Sequence, residues 1–319
     1  MVVVILIWGG HRGPPLHATP LYPWQERSHP RIIHRLMQYE EFQPAEPLAQ
    51  HIKCFWILEN TCTHSSSQER ILPDGCTEIV FHQGDAFDQY NQDGTTARQP
   101  MAMLVGQMRR PLVIQPTGRV RVLGVRFWPG GAYPFLQIPQ DEIAGQLIAL
   151  DAVLGSTAGE LHSRIADAPT AAESVSQVEA ILLARLSRFR RHDEAALKAI
   201  ALILRAGGCL SIDTLAREMG INSRKLDRKF NTRVGLPPKT LCRIVRFQKV
   251  FQMIERQRSS PDWVQIALDC GYYDQSHFIK EFKVFAGKEP TSYLTEQNAM
   301  SDHFTGAFNP EKVEARMHG

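Results

Sequence analysis

The residues best suited to chemistry form two polar sets in the C-terminal third of the chain. The first set comprises Arg224, Lys225, Asp227 and Arg228. The second set begins 51 residues later, counted from Arg224 to Gln275, and comprises Gln275, Ser276, His277 and Lys280. Both sets combine cations with amide or carboxylate groups, and the second adds a hydroxyl, so they can bind base edges and phosphates. They therefore suit the major groove of DNA.

The local sequence predicts that a helix-turn-helix presents the second set. A short apolar helix ends at Leu268, Gly271 supplies the positive φ of a sharp helix exit, and Asp274 stands where an N-cap is needed. The next helix has an apolar stripe with spacings of four and three residues: Phe278, Phe282 and Phe285. The opposite face is left to four polar residues and one isoleucine: Gln275, Ser276, Ile279, Lys280 and Lys283.

The first set has the same arrangement. A helix that ends at Gly220 precedes it, and Asn222 or Ser223 can cap the next helix. That helix buries Leu226 and Phe230, four residues apart, and exposes its charged residues: Arg224, Lys225, Asp227, Arg228 and Lys229. One such helix pair is a weak signal, because many unrelated helix pairs look alike. Its repetition is a strong signal, since two matching motifs precede the two sets: LAxxMG from Leu215 and IAxxCG from Ile266.

A long helix should join the two units. Pro237 and Pro238 can open this helix, and its apolar pattern continues to about Arg256. About 19 residues at ~1.5 Å each give a rod of roughly 30 Å. Successive major-groove faces of DNA are ~34 Å apart. The rod therefore has the right length to hold two DNA-reading helices on one side of a duplex.

Residues from about 193 to 296 resemble the DNA-binding domain of the AraC/XylS family of bacterial transcription regulators. The resemblance is carried by LSIDTLAREMGINSRKLDRKF, by GYYDQSHFIKEFK, and by the closing residues Gly287, Pro290 and Tyr293. It implies a seven-helix double helix-turn-helix domain that binds promoter DNA, usually activates transcription and is not an enzyme. Its partners would be double-stranded promoter DNA, RNA polymerase, an unidentified small-molecule effector and a second copy of the chain, with no cofactor and no membrane.

The family's base-reading positions correspond to seven residues: Arg224, Asp227, Arg228, Gln275, Ser276, His277 and Lys280. The remaining members of the predicted DNA-binding set are Asn222, Ser223, Lys225 and Asp274. Asp227 departs from the chemistry of the others, because a carboxylate beside DNA can accept only from a cytosine N4 or through a bridging water. It can equally pair with Arg224 or Arg228, in which case it contacts no base.

Residues 38 to about 140 have the pattern of β structure. Runs rich in β-branched and aromatic residues are separated by Pro, Gly and Asp turns: His51–Leu58, Glu78–His82, Met103–Val105, Leu112–Gln115 and Arg119–Phe127. Short strands over roughly 100 residues predict a small β-sandwich or open barrel. The expected fold class is α+β. This part also resembles, less specifically, the sensing domains of AraC-type regulators, which implies a cupin-like barrel.

Residues 141–190 are expected to form a helical connector whose first helix begins within Asp141–Leu150. A continuous apolar face recurs at intervals of three and four residues: Val175, Val178, Ile181, Leu182, Leu186 and Phe189. Such a face can pack against the β domain or against its copy in a second subunit, and packing within the chain is the commoner arrangement.

Five segments are therefore predicted: a disordered stretch at 1–36, a β-rich regulatory domain at 37–140, the connector at 141–190, the DNA-binding domain at 191–297 and a loose tail at 298–319. The apolar run Val2–Trp8 has only seven residues, against roughly 20 needed to span a bilayer. The rest of the first stretch is Pro-rich, without apolar periodicity. We hypothesise that Met37 is the natural start, which the intact mass of the endogenous protein would test.

Charge divides the chain near residue 185. Residues 185–297 hold 21 of the 36 Lys and Arg residues but only 12 of the 33 Asp and Glu residues, which leaves 15 and 21 for the rest. The C-terminal part thus carries a charge of +9 and the remainder −6. A basic half beside an acidic half indicates that one half binds a polyanion.

Six cysteines, at positions 54, 62, 76, 209, 242 and 270, have no CxxC spacing. Neither a zinc ribbon nor a redox dithiol is indicated. Cys209, Cys242 and Cys270 fall in predicted helices among apolar neighbours and are expected in the core. This usage fits a reducing cytoplasm best.

The β part offers material for an effector site. Trp56 and Trp128 can line an apolar cavity in which Asp74 or Arg126 orients a ligand, although each is more often a core residue. A metal site is not predicted. Cys76, Glu78 and His82 alternate near one strand, but an ordinary turn beside a packed cysteine explains them.

Three alternative functions fit the sequence less well. A metal-dependent cupin enzyme needs an HxH pair, whereas the histidines here are dispersed at 51, 64 and 82. An alkylation-repair methyltransferase needs four thiolates on one zinc, and only Cys54, Cys62 and Cys76 precede the helical part. The runner-up is a non-specific DNA-binding architectural protein, whose binding would ignore sequence and fall steeply with salt.

Overall fold

The computed structural model describes residues 37–60, 68–189, 194–256 and 261–295. The predictions for residues 1–36 and 298–319, and those for Cys62 and His64, lie outside these ranges. Within them, every helix is too short or too polar to span a lipid bilayer.

The N-terminal part is built from antiparallel strands. Its strands in the described ranges are β1 Met37–Phe42, β2 Ile52–Asn60, β3 Glu69–Ile71, β4 Thr77–His82, β5 Asp88–Tyr90, β6 Thr96–Arg98, β7 Ala102–Val105, β8 Leu112–Gln115, β9 Arg121–Phe127 and β10 Leu147–Ala149. The larger sheet has the order β1-β2-β9-β4-β7-β10 and the smaller sheet the order β3-β8-β5-β6. The five predicted runs correspond to β2, β4, β7, β8 and β9, so these strands are confirmed.

The two sheets pack as a sandwich because side chains alternate along each strand. On β2, Cys54, Trp56 and Leu58 belong to one hydrophobic cluster, together with Leu112 and Ile114 of the smaller sheet. The intervening residues of β2 belong to a second cluster on the other face. The α+β class and the N-terminal sandwich are confirmed.

Helices cover the second face of the larger sheet: α1 Glu46–Ala49, α2 Tyr133–Leu136, α3 Asp151–Leu154, α4 Ser156–Asp167 and α5 Ala171–Leu186. Val175, Val178 and Leu182 of α5 share a core with Phe55 and Phe81 of the sheet. The apolar face of the connector therefore packs against the β domain of the same chain, which was the commoner of the two expected arrangements.

The prediction that a helix begins within Asp141–Leu150 is wrong for most of that segment. A short 3-10 turn spans Gln140–Glu142, β10 follows at Leu147–Ala149, and the helix begins only at Asp151. β10 pairs antiparallel with β7, where Ile148 faces Leu104. The β domain therefore extends beyond residue 140, because β10 is the edge strand of the larger sheet.

The C-terminal part is all-helical within the described ranges: α6 Glu194–Arg205, α7 Ile212–Glu218, α8 Ser223–Val234, α9 Pro238–Arg256, α10 Trp263–Asp269, α11 Gln275–Ala286 and α12 Pro290–Leu294. The predicted joining helix is α9, with 19 residues. Its Phe247 is fully buried and its ring lies 5.2–5.3 Å from those of Phe251, Phe282 and Phe285. The α9 helix is therefore the axis of this domain.

The β domain and the helical domain share buried contacts. Leu72 and Trp128 of the β domain lie in the hydrophobic core of the helical domain. The amide Nε2 of Gln248, which is fully buried on α9, donates to the carbonyl oxygen of Pro73 at 2.8 Å. Gly235, at the end of α8, lies so close to the Gln140 carbonyl that a Cβ would be 2.7 Å from its oxygen. The two domains thus form one packed body.

The expected core placement of the three C-terminal cysteines is correct for two of them. Cys242 on α9 and Cys270 at the end of α10 are buried, and burial raises the pKa of Cys242 to about 11 and that of Cys270 to about 12. Cys209 is exposed. Its prediction is wrong because α6 ends at Arg205 and Gly208 turns the chain toward the surface with a φ of 74°.

Candidate nucleic-acid interface

The first helix-turn-helix unit consists of α7 and α8. Ser211 caps α7, since its hydroxyl accepts from the backbone N–H of Thr214 at 3.0 Å. Gly220 follows with a φ of 63°. Asn222 then caps α8 by accepting from the N–H of Lys225 at 2.9 Å. Of the two predicted caps, Asn222 is therefore the one the structure shows, and Ser223 is the first helical residue.

The second unit repeats these features with α10 and α11. Gly271 has a φ of 76°, and the N–H of Tyr272 bonds back to the carbonyl of Ala267 at 2.9 Å. The Asp274 carboxylate caps α11 by accepting from the N–H of His277 at 2.7 Å. A carboxylate at a helix N-terminus also compensates the helix dipole. The predicted turn and cap are confirmed.

The two polar sets lie where the helical periodicity predicts. In α8, Leu226 and Phe230 are fully buried. The exposed residues of the first set are Arg224, Lys225, Asp227 and Arg228. In α11, the three phenylalanines are buried, Ser276 and Lys280 are exposed, and Gln275 and His277 are half-buried. Within the described residues, no ion pair joins Asp227 to Arg224 or Arg228, so the carboxylate faces solvent.

His277 differs from the rest of its set. Its Nδ1 accepts from the backbone N–H of Tyr273 at 3.4 Å, and its ring packs edge-on against Tyr272 with centroids 5.5 Å apart. The side chain therefore supports the turn, and Nε2 is the nitrogen left for other contacts. In Asn222 and Asp274 likewise, Oδ1 is engaged as a helix cap.

Three basic residues of α9 hold the second unit in place, and sequence analysis missed all of them. Arg243 makes two hydrogen bonds to Glu281 of α11, at 2.6 and 2.8 Å. Arg246 donates to the carbonyl of Gly271 at 3.1 Å, and Lys249 donates to that of Asp269 at 2.6 Å. Cations at the end of α10 also compensate its dipole. Arg243, Arg246 and Lys249 are three residues apart, and this spacing could have indicated that they share one side of α9.

Sequence analysis also missed Tyr273, which is 87% exposed in the turn between α10 and α11. Because so little of its ring is buried, Tyr273 contributes little hydrophobic stabilisation to the fold. It lies next to the Asp274 cap, at the N-terminal end of α11. Because Tyr272 and Tyr273 are adjacent and identical in type, the sequence alone does not show which of them is exposed.

In the β domain, two of the four predicted ligand residues lie together. Arg126 is buried on β9, and its Nε donates to Glu78 Oε1 at 2.5 Å and lies 3.6 Å from Asp74 Oδ2. Burial raises the pKa of Glu78, while the Arg126 guanidinium opposes that shift. Within the described residues Arg126 therefore has protein partners, as a buried charge requires.

Trp56 and Trp128 lie in different cores and do not line one cavity. Trp56 covers Gly124 of β9, where a Cβ would be 2.0 Å from the indole. It lines a cavity of about 60 Å³ between the sheets, with Glu78 and His82. Drug-sized ligands occupy roughly 300–1,000 Å³. Trp128 follows the last residue of β9 and belongs to the hydrophobic core of the helical domain, while its Nε1 donates to the carbonyl oxygen of Ala49 in the β domain at 3.2 Å.

Cys76 and His82, which alternate near β4 with Glu78, are both buried. Burial raises the pKa of the Cys76 thiol and lowers that of His82 to about 4. His82 Nε2 lies 3.1 Å from Gln99 Oε1. Among the described residues, no group of three or more His, Cys, Asp or Glu side chains is placed to hold a metal ion.

Two family models match the chain. Residues 215–296 match a helix-turn-helix domain, a range that includes all of α8, α9, α10, α11 and α12. Residues 40–149 match a domain of unknown function (DUF6597). This second match ends with β10, in agreement with the longer β domain. No curated protein is similar to this chain in sequence.

Three solved structures are similar over most of the chain. An apo form of ToxT from Vibrio cholerae strain SCE256 is 13% identical, covers 76% of this chain and 96% of its own, and has a TM-score of 0.41. Wild-type ToxT from the same strain, bound to an unsaturated fatty acid, is 14% identical with coverages of 73% and 96% and a TM-score of 0.39. The AraC-like transcriptional activator CuxR is 14% identical with coverages of 68% and 80% and a TM-score of 0.28.

Proposed function

We propose that this protein is a transcription regulator that binds DNA through residues 215–296, which match a helix-turn-helix domain and carry the resemblance to the AraC/XylS family. In the proposed mechanism, α8 and α11 enter successive major grooves of promoter DNA and bind it sequence-specifically. Promoter DNA is the first partner. The family resemblance supports RNA polymerase as a second partner, and transcription in vitro with purified polymerase tests that contact.

The observation that carries the proposal is the pair of capped helices on one stiff helix. α9 has 19 residues, which at ~1.5 Å per residue span about 28 Å. The bonds from Arg243, Arg246 and Lys249 hold the second unit to this helix. Such a support matches the ~34 Å repeat of DNA. A rigid support also reduces the entropy that two separate units would lose on binding together.

The side chains that we expect to contact bases are those with free polar groups on the exposed faces. In α8 these are Arg224 and Arg228, whose guanidinium groups can each make two bonds to a guanine. In α11 they are Gln275, which can bind an adenine in the same way, and the exposed Ser276 and Lys280. Asp227 can accept from a cytosine N4.

We further propose that the β domain modulates DNA binding, either through a small molecule or through dimerisation. The shared core supports this, since Leu72 and Trp128 connect the β domain to the DNA-binding helices. Sedimentation at the concentrations that bind DNA, with and without candidate effectors, distinguishes the two routes.

Selection of bound duplexes from a random pool, followed by affinity measurements, tests the main proposal. Arg228→Ala and Gln275→Ala should each lose about 1–3 kcal/mol on the selected site and little on random DNA. Matched controls are Arg205→Ala and Gln265→Ala, because both residues are exposed on helices outside the two DNA-reading helices. Losses of equal size on selected and random DNA would reduce both residues to phosphate contacts and favour the non-specific architectural protein.

A further inference from the structure

A large cleft separates the β domain from the second DNA-reading helix. Its volume is about 770 Å³. One wall is α11, through Lys280 and Lys283. The other wall is the smaller sheet and its loops, through Arg70 of β3 and Arg110 of the β7–β8 connection. The walls converge at Gly287, where a Cβ would lie 3.4 Å from Arg70 Nη1.

The lining of this cleft carries four cationic side chains and, within the described residues, no carboxylate. Lys283 Nζ lies 3.6 Å from Glu289 Oε1, with both side chains about 60% exposed. A pair this exposed neutralises little of the local charge. The cationic concentration is unexpected on this side, because the chain outside residues 185–297 is acidic by 21 to 15.

The cationic lining continues the DNA-reading face of α11. Lys280, Lys283, Val284 and Gly287 lie three, four and seven residues apart, so they share one side of the helix. A helix with its side chains is ~10–12 Å across and fills a major groove of ~12 Å. Phosphates of both strands therefore run along its flanks, and the flank on this side opens into the cleft.

Arg110 is held at the rim of the cleft. Its Nη1 donates to Gln92 Oε1 at 2.7 Å, which orients the guanidinium and leaves its other N–H groups for further contacts. The adjacent Arg109 is also exposed but does not line the cleft. The two neighbouring arginines are thus chemically equal and differently placed.

We propose that this cleft binds the sugar–phosphate backbone of the DNA strand that flanks α11, with Arg110 of the β domain as a phosphate contact. The inference rests on the proposed function, since it places α11 in a major groove. It adds the β domain to the DNA interface. Affinity for DNA then depends on the position of the β domain relative to α11, without any base contact from that domain.

The test compares Arg110→Ala with Arg109→Ala in the full chain on a random-sequence duplex of about 30 base pairs. Random DNA suffices because phosphate contacts are independent of sequence. Loss of one phosphate contact should make the slope of log K against log salt shallower by about 0.9 and weaken binding about eightfold at ~0.1 M salt. Arg109→Ala should match the wild type in both respects.

Two results would overturn the inference. Equal slopes for both variants and the wild type would place the cleft outside the DNA interface. Calorimetric binding of inorganic phosphate or citrate to the DNA-free protein, lost in Arg110→Ala while the salt slope stays unchanged, would identify a small-anion site instead. A wild-type protein that binds no duplex at any salt concentration would contradict the proposed function itself, which separates the two failures.

Discussion

Replacing Gln248 with methionine should destabilise both domains together. Gln248 is fully buried on α9, and its Nε2 donates to the carbonyl of Pro73 at 2.8 Å, 175 residues away in the chain. Pro73 follows Leu72, which is itself part of the helical core. This hydrogen bond therefore joins the axis of the helical domain to the β domain.

The expected cost follows from what methionine removes. Its side chain has nearly the length and volume of glutamine, so little packing is lost, but it has no N–H to donate. The buried Pro73 carbonyl would then lose its donor, which costs roughly 1–3 kcal/mol. At the 2–4 °C per kcal/mol that is typical of domains of about 150–250 residues, that corresponds to a fall in Tm of roughly 2–12 °C.

Urea unfolding measures how much the free energy of unfolding decreases, and hydrogen exchange read by mass spectrometry shows which segments lose protection. Peptides from α9 and from β4 should lose protection together in Gln248→Met. Gln252→Met is the matched control, because Gln252 lies one turn further along α9 and is only half-buried. Equal losses in the two variants, or loss of protection confined to α9, would refute the idea that this bond couples the domains.

Two further predictions concern single groups. Burial lowers the pKa of His82 from 6.5 to about 4, so as the pH falls the unfolded chain binds a proton before the folded chain does. The free energy of unfolding should therefore decrease below about pH 6.5, by roughly 2 kcal/mol at pH 5. His82→Gln should remove this decrease from the urea midpoints, and a decrease of the same size in that variant would contradict the prediction. Asp274→Ala should cost about 1 kcal/mol by removing the cap, while Asp274→Asn, which keeps an acceptor, should unfold near the wild-type temperature.

The helical domain was predictable because its signals are local. The caps at Ser211, Asn222 and Asp274 and the positive φ at Gly271 depend on residues within one turn of each position. Apolar periodicity then determined which side of each helix faces the core. The exposed faces of α8 and α11 followed from the same periodicity.

Two of the errors concern contacts between residues distant in sequence, and the error for Cys209 is local. The strand at Leu147–Ala149 forms by pairing with Met103–Val105, some forty residues earlier, and three residues carry too little alternation to indicate a strand. Trp128 was expected beside Trp56 in the β domain, but it belongs to a hydrophobic cluster formed mainly by helices that begin more than sixty residues later. Cys209 was expected in a helix that ends four residues before it.

The candidate site divides in the same way. The residues of α8 and α11 expected to contact bases were visible in the sequence, whereas the cleft was not. Arg110 and Lys280 are 170 residues apart in sequence, and only the packing of the β domain beside α11 brings them to one cleft. The basic residues of α9 were partly predictable. The spacing of Arg243, Arg246 and Lys249 is visible in the sequence, but the groups that accept their hydrogen bonds are not.

The shared core limits how an effector can act on DNA binding. Separating the domains exposes Leu72 and Trp128, at about 1.5–3 kcal/mol each, and breaks the Gln248 bond, worth about 1 kcal/mol. An effector that separates them must therefore bind the separated form roughly 10³–10⁵-fold more tightly than the joined form. A ligand that enters the cleft between Arg110 and Lys280 has no such requirement, because it competes with phosphates while the core stays intact. Regulation within the joined arrangement is thus the less costly route in free energy.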